Sequence, residues 1–537
     1  MNKRVVGILL SIIILAFFLR IYHLTQIPNS LSADEAAFAY NAYSVLKTGR
    51  DEFGHFLPLY FQSFDDYKNP LFVYILVPVI ALFGLNDWVI RLPSVVCGVG
   101  VVIFFYLLTR QLTHSSKTAL LASLFAAVSP WLIQYSRIAV EMELALFVSL
   151  VAVWVFLKSY ANPKLLILTV FLCALSFYSY HANKVWIIGF STVLLIIHKR
   201  MSRAIFISIL LFILLVLPYF KLLKTDNIGL RPFAISVFSR QEENQVQSQL
   251  LLSDFQRKDW FGSFIHNRRL TPINQSINGY LKILSPELLF AISIYNQIPI
   301  TRLFFMWQLP LIVLGIFSIT RWSRQLVIIF SWIFIGLVPG ALTIFPPYDR
   351  RILIVSYPLI YLCSLGLLVL LKHVTQTLLI KRLMLLGTIV IIGLSTAIYI
   401  HHYFIHGLQT IVELWGNGMK ELVFTTQTEK AKYRKVVVSL KLNQTLTFFL
   451  YYEKYPPDKY LRSGGTISGG YLDERNTFDA YQFKFIKPQD LESNTLYVWS
   501  VSETQPCLKV LKTTYLTDGH ALANLGVYNR EGNGCNI

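Results

Sequence analysis

The run Leu71-Phe-Val-Tyr-Ile-Leu-Val-Pro78-Val-Ile-Ala-Leu-Phe-Gly84 is apolar from end to end but only 14 residues long. A helix rises 1.5 Å per residue, so this one reaches about 21 Å, well short of the roughly 30 Å of hydrocarbon in a bilayer. It is therefore read as an interfacial or re-entrant helix. That reading decides the topology, because counting the run as a crossing would invert every later loop.

Outward from it, eleven segments have the length and apolarity of a crossing: Val5–Leu24, Val89–Leu108, Ala119–Tyr135, Ile138–Leu157, Leu165–Ser179, Val185–His198, Ala204–Phe220, Leu303–Ile319, Leu326–Phe345, Ile352–Leu371 and Leu383–Ile400. With a cytoplasmic N-terminus, the inner segments carry Lys3 and Arg4, Arg110 and Lys117, Lys158 and Lys164, Lys199, Arg200 and Arg203, Arg321 and Arg324, and Lys372, Lys381 and Arg382. None holds an Asp or Glu. This is the positive-inside pattern, and an odd number of crossings puts the C-terminus outside. Val5–Leu24 is longer than the apolar core of a signal peptide and Arg20-Ile-Tyr-His23 is a poor cleavage site, so an uncleaved first helix is expected.

The 537 residues are 55% hydrophobic and 14% charged, too apolar for a water-soluble chain of this size. The net charge of +19 lies largely in the inner turns, so it indicates membrane orientation and no nucleic-acid partner. The expected organisation is a transmembrane unit over 1–400, with outer loops at 25–88 and 221–302, followed by a small α/β extracytoplasmic domain over 401–537. In that tail Val436–Leu440 and Tyr497–Val501 read as strands, Thr447–Tyr455 as helix or strand, and Gly464-Gly465 and Gly469-Gly470 as turns. Cys507 and Cys535 fall where an oxidising compartment permits a disulfide. The inner turns are too short to hold a site, so the chemistry is expected on the outer loops and outer helix ends of a multi-pass protein. A prokaryotic plasma membrane fits this, and an endoplasmic-reticulum membrane would give the same topology.

Several polar residues stand out on those outer ends. Ser32-Ala-Asp34-Glu35 has the spacing of a capping box for a helix running to about Lys47 and ending at Gly49. Asp34 and Glu35 are either acids of a helix start or chemical groups. Glu141 and Glu143 lie near the start of a crossing, where an ionisable group is costly, and Arg137 is spaced to pair with Glu141 on one helix face. Lys68, in Asp65-Asp66-Tyr67-Lys68-Asn69-Pro70, stands at the depth of a lipid phosphate, or else snorkels beside Asp66. Arg350 and Arg351, after Pro346-Pro347-Tyr348-Asp349, break the positive-inside bias and suggest an anionic partner. His181 and Lys184 either touch a substrate or form a polar turn. His402 and His406 share a face, but no third metal ligand is apparent.

In order and spacing these residues resemble the dolichyl-phosphate-mannose protein mannosyltransferase and bacterial aminoarabinose transferase group of membrane-embedded C-type glycosyltransferases. The similarity is carried by Arg20-Ile-Tyr-His-Leu24, Asp34-Glu35, Lys68-Asn69-Pro70-Leu71, Arg91-Leu-Pro-Ser94, Ser136-Arg137-Ile138 with Glu141, and Arg350-Arg351 with Tyr357-Pro358-Leu359. The resemblance implies a mainly α, polytopic C-type fold and an inverting transfer from a polyprenyl-phosphate sugar to a protein, lipid or glycan acceptor. It implies Asp34 as catalytic carboxylate, Glu141 as the second acid, and Lys68, Arg137, Arg350 and Arg351 as phosphate ligands. Asn69-Pro70 replaces the commoner Pro-Pro, and Glu141 stands where many relatives have Asp. Tyr67 stands where the aminoarabinose enzymes have a Glu implicated in metal binding, so no divalent metal is indicated. The alternative is a transporter or flippase of lipid-linked intermediates, which would show repeated halves and ionisable groups near the midplane.

Overall fold

The computed structural model describes residues 2–529 apart from 65, 199–202, 226–234, 240, 268, 292–301, 320–322, 345–347, 374–377, 407–415 and 470–473. Asp65, Lys199, Arg200, Arg321, Pro346, Pro347, Gly470 and Cys535 lie outside the described residues. The chain is mainly helical. Seven described helices are long and apolar enough to cross a membrane, or eight if one bent pair counts as a single span. The expected crossings at Leu165–Ser179, Val185–His198 and Leu303–Ile319 are matched by shorter apolar helices.

The first helix, α1 (Lys3–Ile21), leads into a long connection over residues 22–86. There α2 (Ala33–Thr48) starts at the Ser32 capping box and stops at Gly49, whose φ of 70° is the left-handed turn that glycine adopts without strain. A short hairpin follows, β1 (Phe61–Ser63) against β2 (Asp66–Lys68), antiparallel with Phe61 opposite Lys68. Then α3 (Pro70–Phe83) forms, with Pro70 in the first turn, where its missing N–H costs nothing. Its apolar face packs on α2, burying Phe72, Val73 and Leu76.

Next come α4 (Asp87–Thr113), α5 (Ser116–Val128), α6 (Pro130–Ser136) and α7 (Glu141–Ser159). The continuous span expected over Ala119–Tyr135 is instead broken, with α5 and α6 meeting at 59°. Pro130 removes a helical hydrogen bond and pushes Ser129 into extended backbone, which turns the chain. The following span is shorter at its start than expected. Val140 is the N-cap of α7, so Glu141 and Glu143 sit in the first turn, at the positive end of the helix dipole.

The helices α8 (Leu165–Ser179), α9 (His181–His198) and α10 (Arg203–Thr225) follow, and α11 (Gln241–Arg257), α12 (Trp260–Ile265) and α13 (Thr271–Ile283) lie in the long connection after α10. In the second half α14 (Gln308–Ser318) and α15 (Arg324–Ala341) precede a short turn, α16 (Tyr348–Arg351), then α17 (Ser356–His373) and α18 (Leu378–His401). The backbones of α14 and α17 touch: a Cβ on Gly366 would fall 1.8 Å from the Leu311 carbonyl oxygen. Small residues permit such an approach between apolar helices.

Residues 419–528 form α19 (Met419–Lys430), β3 (Lys435–Val438), α20 (Thr445–Tyr452), α21 (Pro457–Arg462), β4 (Thr477–Phe478), β5 (Tyr481–Phe483), β6 (Thr495–Ser500), β7 (Leu508–Tyr515) and β8 (Ala521–Tyr528). The six strands order as β4-β5-β3-β6-β8-β7, with β3 parallel to both neighbours. Its Val436, Val437 and Val438 are buried, as a central parallel strand requires. The stretch read as helix or strand, Thr447–Tyr455, is helical up to Tyr452 in α20, and Glu453–Tyr455 lie beyond the helix end. Cys507 is disulfide-bonded, while Cys97, Cys173 and Cys363 are free.

This sheet unit sits on α2 and the start of α4. The Tyr40 hydroxyl donates to the Tyr455 carbonyl at 3.2 Å, and Tyr451 and Lys420 converge on Asp87 at 2.9 and 2.7 Å. Glu52 fastens the centre: its carboxylate accepts from Asn41 at 2.7 Å and Thr466 at 2.8 Å, and its carbonyl accepts from the Thr466 N–H at 2.9 Å. Burial pushes the Glu52 carboxyl up to about 7, against the two hydrogen bonds that favour its charged form. The folded chain therefore holds this proton more tightly than the unfolded chain. The stabilisation is full below about pH 4.5 and is lost as pH rises through about 7, an effect of about 3 kcal/mol. Glu52→Gln keeps the shape, with its carbonyl accepting from Asn41 and its amide donating to Thr466. We expect the thermal stability of E52Q relative to wild type to increase between pH 5 and pH 8. Parallel pH profiles for the two proteins would refute this.

Candidate active site

The adjacent acids at the start of α2 have separate tasks. Glu35 is fully buried, and both of its oxygens are occupied. One accepts from the Ser32 N–H at 2.8 Å and the Ser32 hydroxyl at 3.2 Å; the other accepts from Arg91 Nε at 3.0 Å and the Ala139 N–H at 2.8 Å. Arg91 in turn donates to the carbonyls of Leu24, Pro28 and Ser30, each at 2.7 Å. Glu35 is thus a scaffold residue that ties α2, α4 and the segment before α7 together.

Asp34, one position earlier on the helix, is turned away from that anchor. Its side chain is 36% exposed, and its Oδ1 accepts from Lys68 Nζ at 2.7 Å. Lys68 is delivered by the β1–β2 hairpin, and Asp66 on the same strand lies 3.6 Å from the ammonium. Burial alone would lower the Lys68 pKa, but the charges of Asp34, Asp66 and Glu141 outweigh it and hold the ammonium more firmly protonated than usual. The cluster therefore carries its own internal cation among three carboxylates.

The expected pairing of Arg137 with Glu141 does not occur. The chain leaves the helix at Ser136 and re-enters at Glu141, so the two residues do not share a helix face. Arg137 donates to the carbonyls of Leu19, Arg20, His23 and Ile27 at 2.9 to 3.2 Å, and its guanidinium stacks over Tyr403 and Phe404. It clamps the end of α1 and stands apart from the Asp34–Lys68 group. Glu141 instead lies in the field of Lys68, and buried Glu143 in that of Arg20.

His181 and Lys184 do join the cluster. His181 Nε2 lies 2.8 Å from the Tyr67 carbonyl, so that nitrogen carries a proton and donates. Its Nδ1 is then available to accept from Lys184 Nζ at 3.4 Å. Lys184 also hydrogen-bonds Asn69 and lies over the rings of Tyr60, Phe177 and Tyr219. Both residues of α9 thus grip the strand and turn that carry Lys68.

Arg350 and Arg351 belong to α16. Asp349 is buried, which raises its carboxyl above the usual range, and it accepts from the Tyr135 hydroxyl at 2.5 Å. Arg350 lies in the field of Tyr135, Asp349, Asp34 and Tyr180, and Arg351 acts on Tyr180. Tyr180, Tyr135 and Asp349 were not singled out in the sequence. Tyr180 and Asp349 are each one residue from a selected basic group, and their adjacency was the one available signal. Tyr135 lies in what reads as a continuous apolar span, and only the turn at Pro130 explains its role. The arrangement joins a partly exposed carboxylate to a lysine and two arginines, which suits an acid–base step beside an anionic group.

Residues 67–221 match the family model for dolichyl-phosphate-mannose-protein mannosyltransferase. The chain is 30% identical over 151 residues to an uncharacterized protein of Aquifex aeolicus, covering 28% of each chain. It is 29% identical over 172 residues to a Bacillus subtilis protein named "Putative mannosyltransferase YkcB", covering 31% of this chain and 22% of that one. The matched parts thus span less than a third of either relative. In fold, the chain is similar to ArnT from Cupriavidus metallidurans bound to undecaprenyl phosphate, with a TM-score of 0.53, 12% identity and 97% of each chain covered. It is also similar to the archaeal oligosaccharyltransferase AglB from Archaeoglobus fulgidus in complex with an inhibitory peptide and a dolichol-phosphate. There the TM-score is 0.52 and the identity 13%, with 84% of this chain and 63% of that one covered. The resemblance read from the motifs is borne out.

Proposed function

We propose, from its resemblance to the protein mannosyltransferase and aminoarabinose transferase group, that this chain transfers a sugar from a polyprenyl-phosphate donor to an acceptor hydroxyl, with inversion, on the outer face of the membrane. The observation that carries this reading is the 2.7 Å contact between partly exposed Asp34 and Lys68, with Arg350 in the same field. The acceptor is a protein, lipid or glycan hydroxyl, and the positive-inside pattern supports the outer location.

In the reaction the acceptor oxygen attacks the anomeric carbon, the bond from that carbon to the phosphate oxygen breaks, and the polyprenyl phosphate leaves with the electron pair. Asp34 takes the acceptor proton on the face opposite the departing phosphate. Lys68, Arg350 and Arg351 stabilise the charge gathering on the leaving phosphate, most effectively where water is excluded. A donor phosphate that draws the Lys68 ammonium towards itself weakens that ammonium's hold on the Asp34 carboxylate, which makes the carboxylate more basic as it accepts the proton. Glu141 and Asp66 keep Lys68 charged throughout, and His181 and Lys184 fix the backbone on which it stands. The acids gather at loop and helix ends, which supports transfer over transport, since carriers place such groups at the midplane.

The test is turnover of undecaprenyl- and dolichyl-phosphate mannose by purified protein in lipid nanodiscs, read as release of the polyprenyl phosphate and labelling of an acceptor fraction. Movement of the lipid-linked sugar between leaflets without release would support a flippase instead. Lys68→Ala should weaken undecaprenyl phosphate binding about tenfold or more, the effect of losing one charge-assisted contact, and should lower turnover as well. Unchanged binding by a folded K68A protein would remove Lys68 from the phosphate site.

A further inference from the structure

We propose that His401, His402 and His406 form a binding site for one divalent transition-metal cation of the zinc class, at the junction between the last long helix and the C-terminal sheet unit. This is independent of the transfer reaction. At the end of α18 the backbone changes from α to π over His402–His406. In an α-helix His402 and His406 would share a face while His401 would turn away from it. A π turn bonds residue i to i+5, which brings His401 beside His406 while His402 stays close to both. The ligand nitrogens of the three rings lie within 4.8 Å of one another. The His401 and His406 ring centroids are 5.0 Å apart. A zinc ion bonds imidazole nitrogens at about 2.0–2.1 Å, so modest ring rotations bring all three into its shell and leave a fourth position for water.

Two further observations favour a ligand. His402 Nδ1 is shut off from solvent and has no hydrogen-bond partner among the described residues, a costly state that coordination or an outer-shell contact would relieve. The same turn supplies Tyr403 and Phe404, which cover the Arg137 guanidinium, and the Tyr403 hydroxyl donates to Gln134 at 2.6 Å. A cation here would pin that turn, and with it the clamp on the end of α1. Three neutral imidazoles, with no carboxylate in the group among the described residues, select zinc, nickel, cobalt or copper over magnesium or calcium.

The experiment uses full-length protein purified without a polyhistidine tag, stripped with chelator and titrated with Zn²⁺ by calorimetry and with Co²⁺ by visible absorption. One equivalent should bind, raise the apparent melting temperature, and give the ligand-field bands of nitrogen-coordinated Co²⁺. His401 is exposed, so H401A leaves packing intact. H401A and H406A should each weaken Zn²⁺ binding by more than about 100-fold, the upper end of the loss seen when only a supporting outer-shell group is removed. Absence of stoichiometric binding in wild type, or an H401A protein that binds like wild type, would overturn the site.

Discussion

Asp34→Asn should lower the rate of sugar transfer by about 10²–10⁴-fold, the usual contribution of a positioned general base, while leaving folding and undecaprenyl phosphate binding intact. The capping box that starts α2 is made by Ser32 and Glu35, so Asp34 is not needed to begin the helix. Its remaining structural contribution, a carboxylate at a helix N-terminus, is worth a few tenths of a kcal/mol. Asparagine keeps the side-chain volume, and its carbonyl oxygen still accepts from Lys68. What is lost is the charge and the capacity to take a proton. The defect should therefore appear in single-turnover rates at saturating donor, with donor affinity little changed. Near-normal transfer by folded D34N protein would assign the base elsewhere, with Glu141 the next residue to test.

The contrast between the two neighbouring acids shows where sequence reading stops. The Ser32-to-Glu35 spacing made the helix and its cap legible, because a capping box is closed within four residues. Lys68 beside a short apolar helix was legible for the same reason of proximity. Partners that meet across the fold were not. Glu35 finds Arg91, 56 positions away, and Arg137 finds four carbonyls of the α1 segment more than a hundred positions away. The helical spacing of Arg137 and Glu141 suggested a pair, but that spacing has meaning only if the helix is continuous. Pro130 and the break at 137–140 interrupt it. His402 and His406 were legible at α-helical spacing, whereas His401 joins them through a π turn that no residue pattern announces.

Glu35→Ala should cost about 3–5 kcal/mol of stability, with little folded protein recovered. Arg91 is 1% exposed, and its carboxylate partner would be gone while its charge stayed buried. Three carbonyls would still accept from it, but none carries a compensating charge. The Ser32 N–H and the Ala139 N–H would each lose an acceptor as well. Glu35→Gln is the informative companion: it preserves volume, yet both original oxygens accept from donors, so the new amide group must face one of them. E35Q should therefore fall between wild type and E35A in apparent melting temperature. D34N and E35Q thus separate two adjacent carboxylates by readout, the first losing rate at constant stability and the second losing stability first. If E35A melted like wild type, the anchor joining α2 to α4 and to the segment before α7 would not be what holds Asp34 over Lys68. The positioning would then have to come from the hairpin and α3 alone.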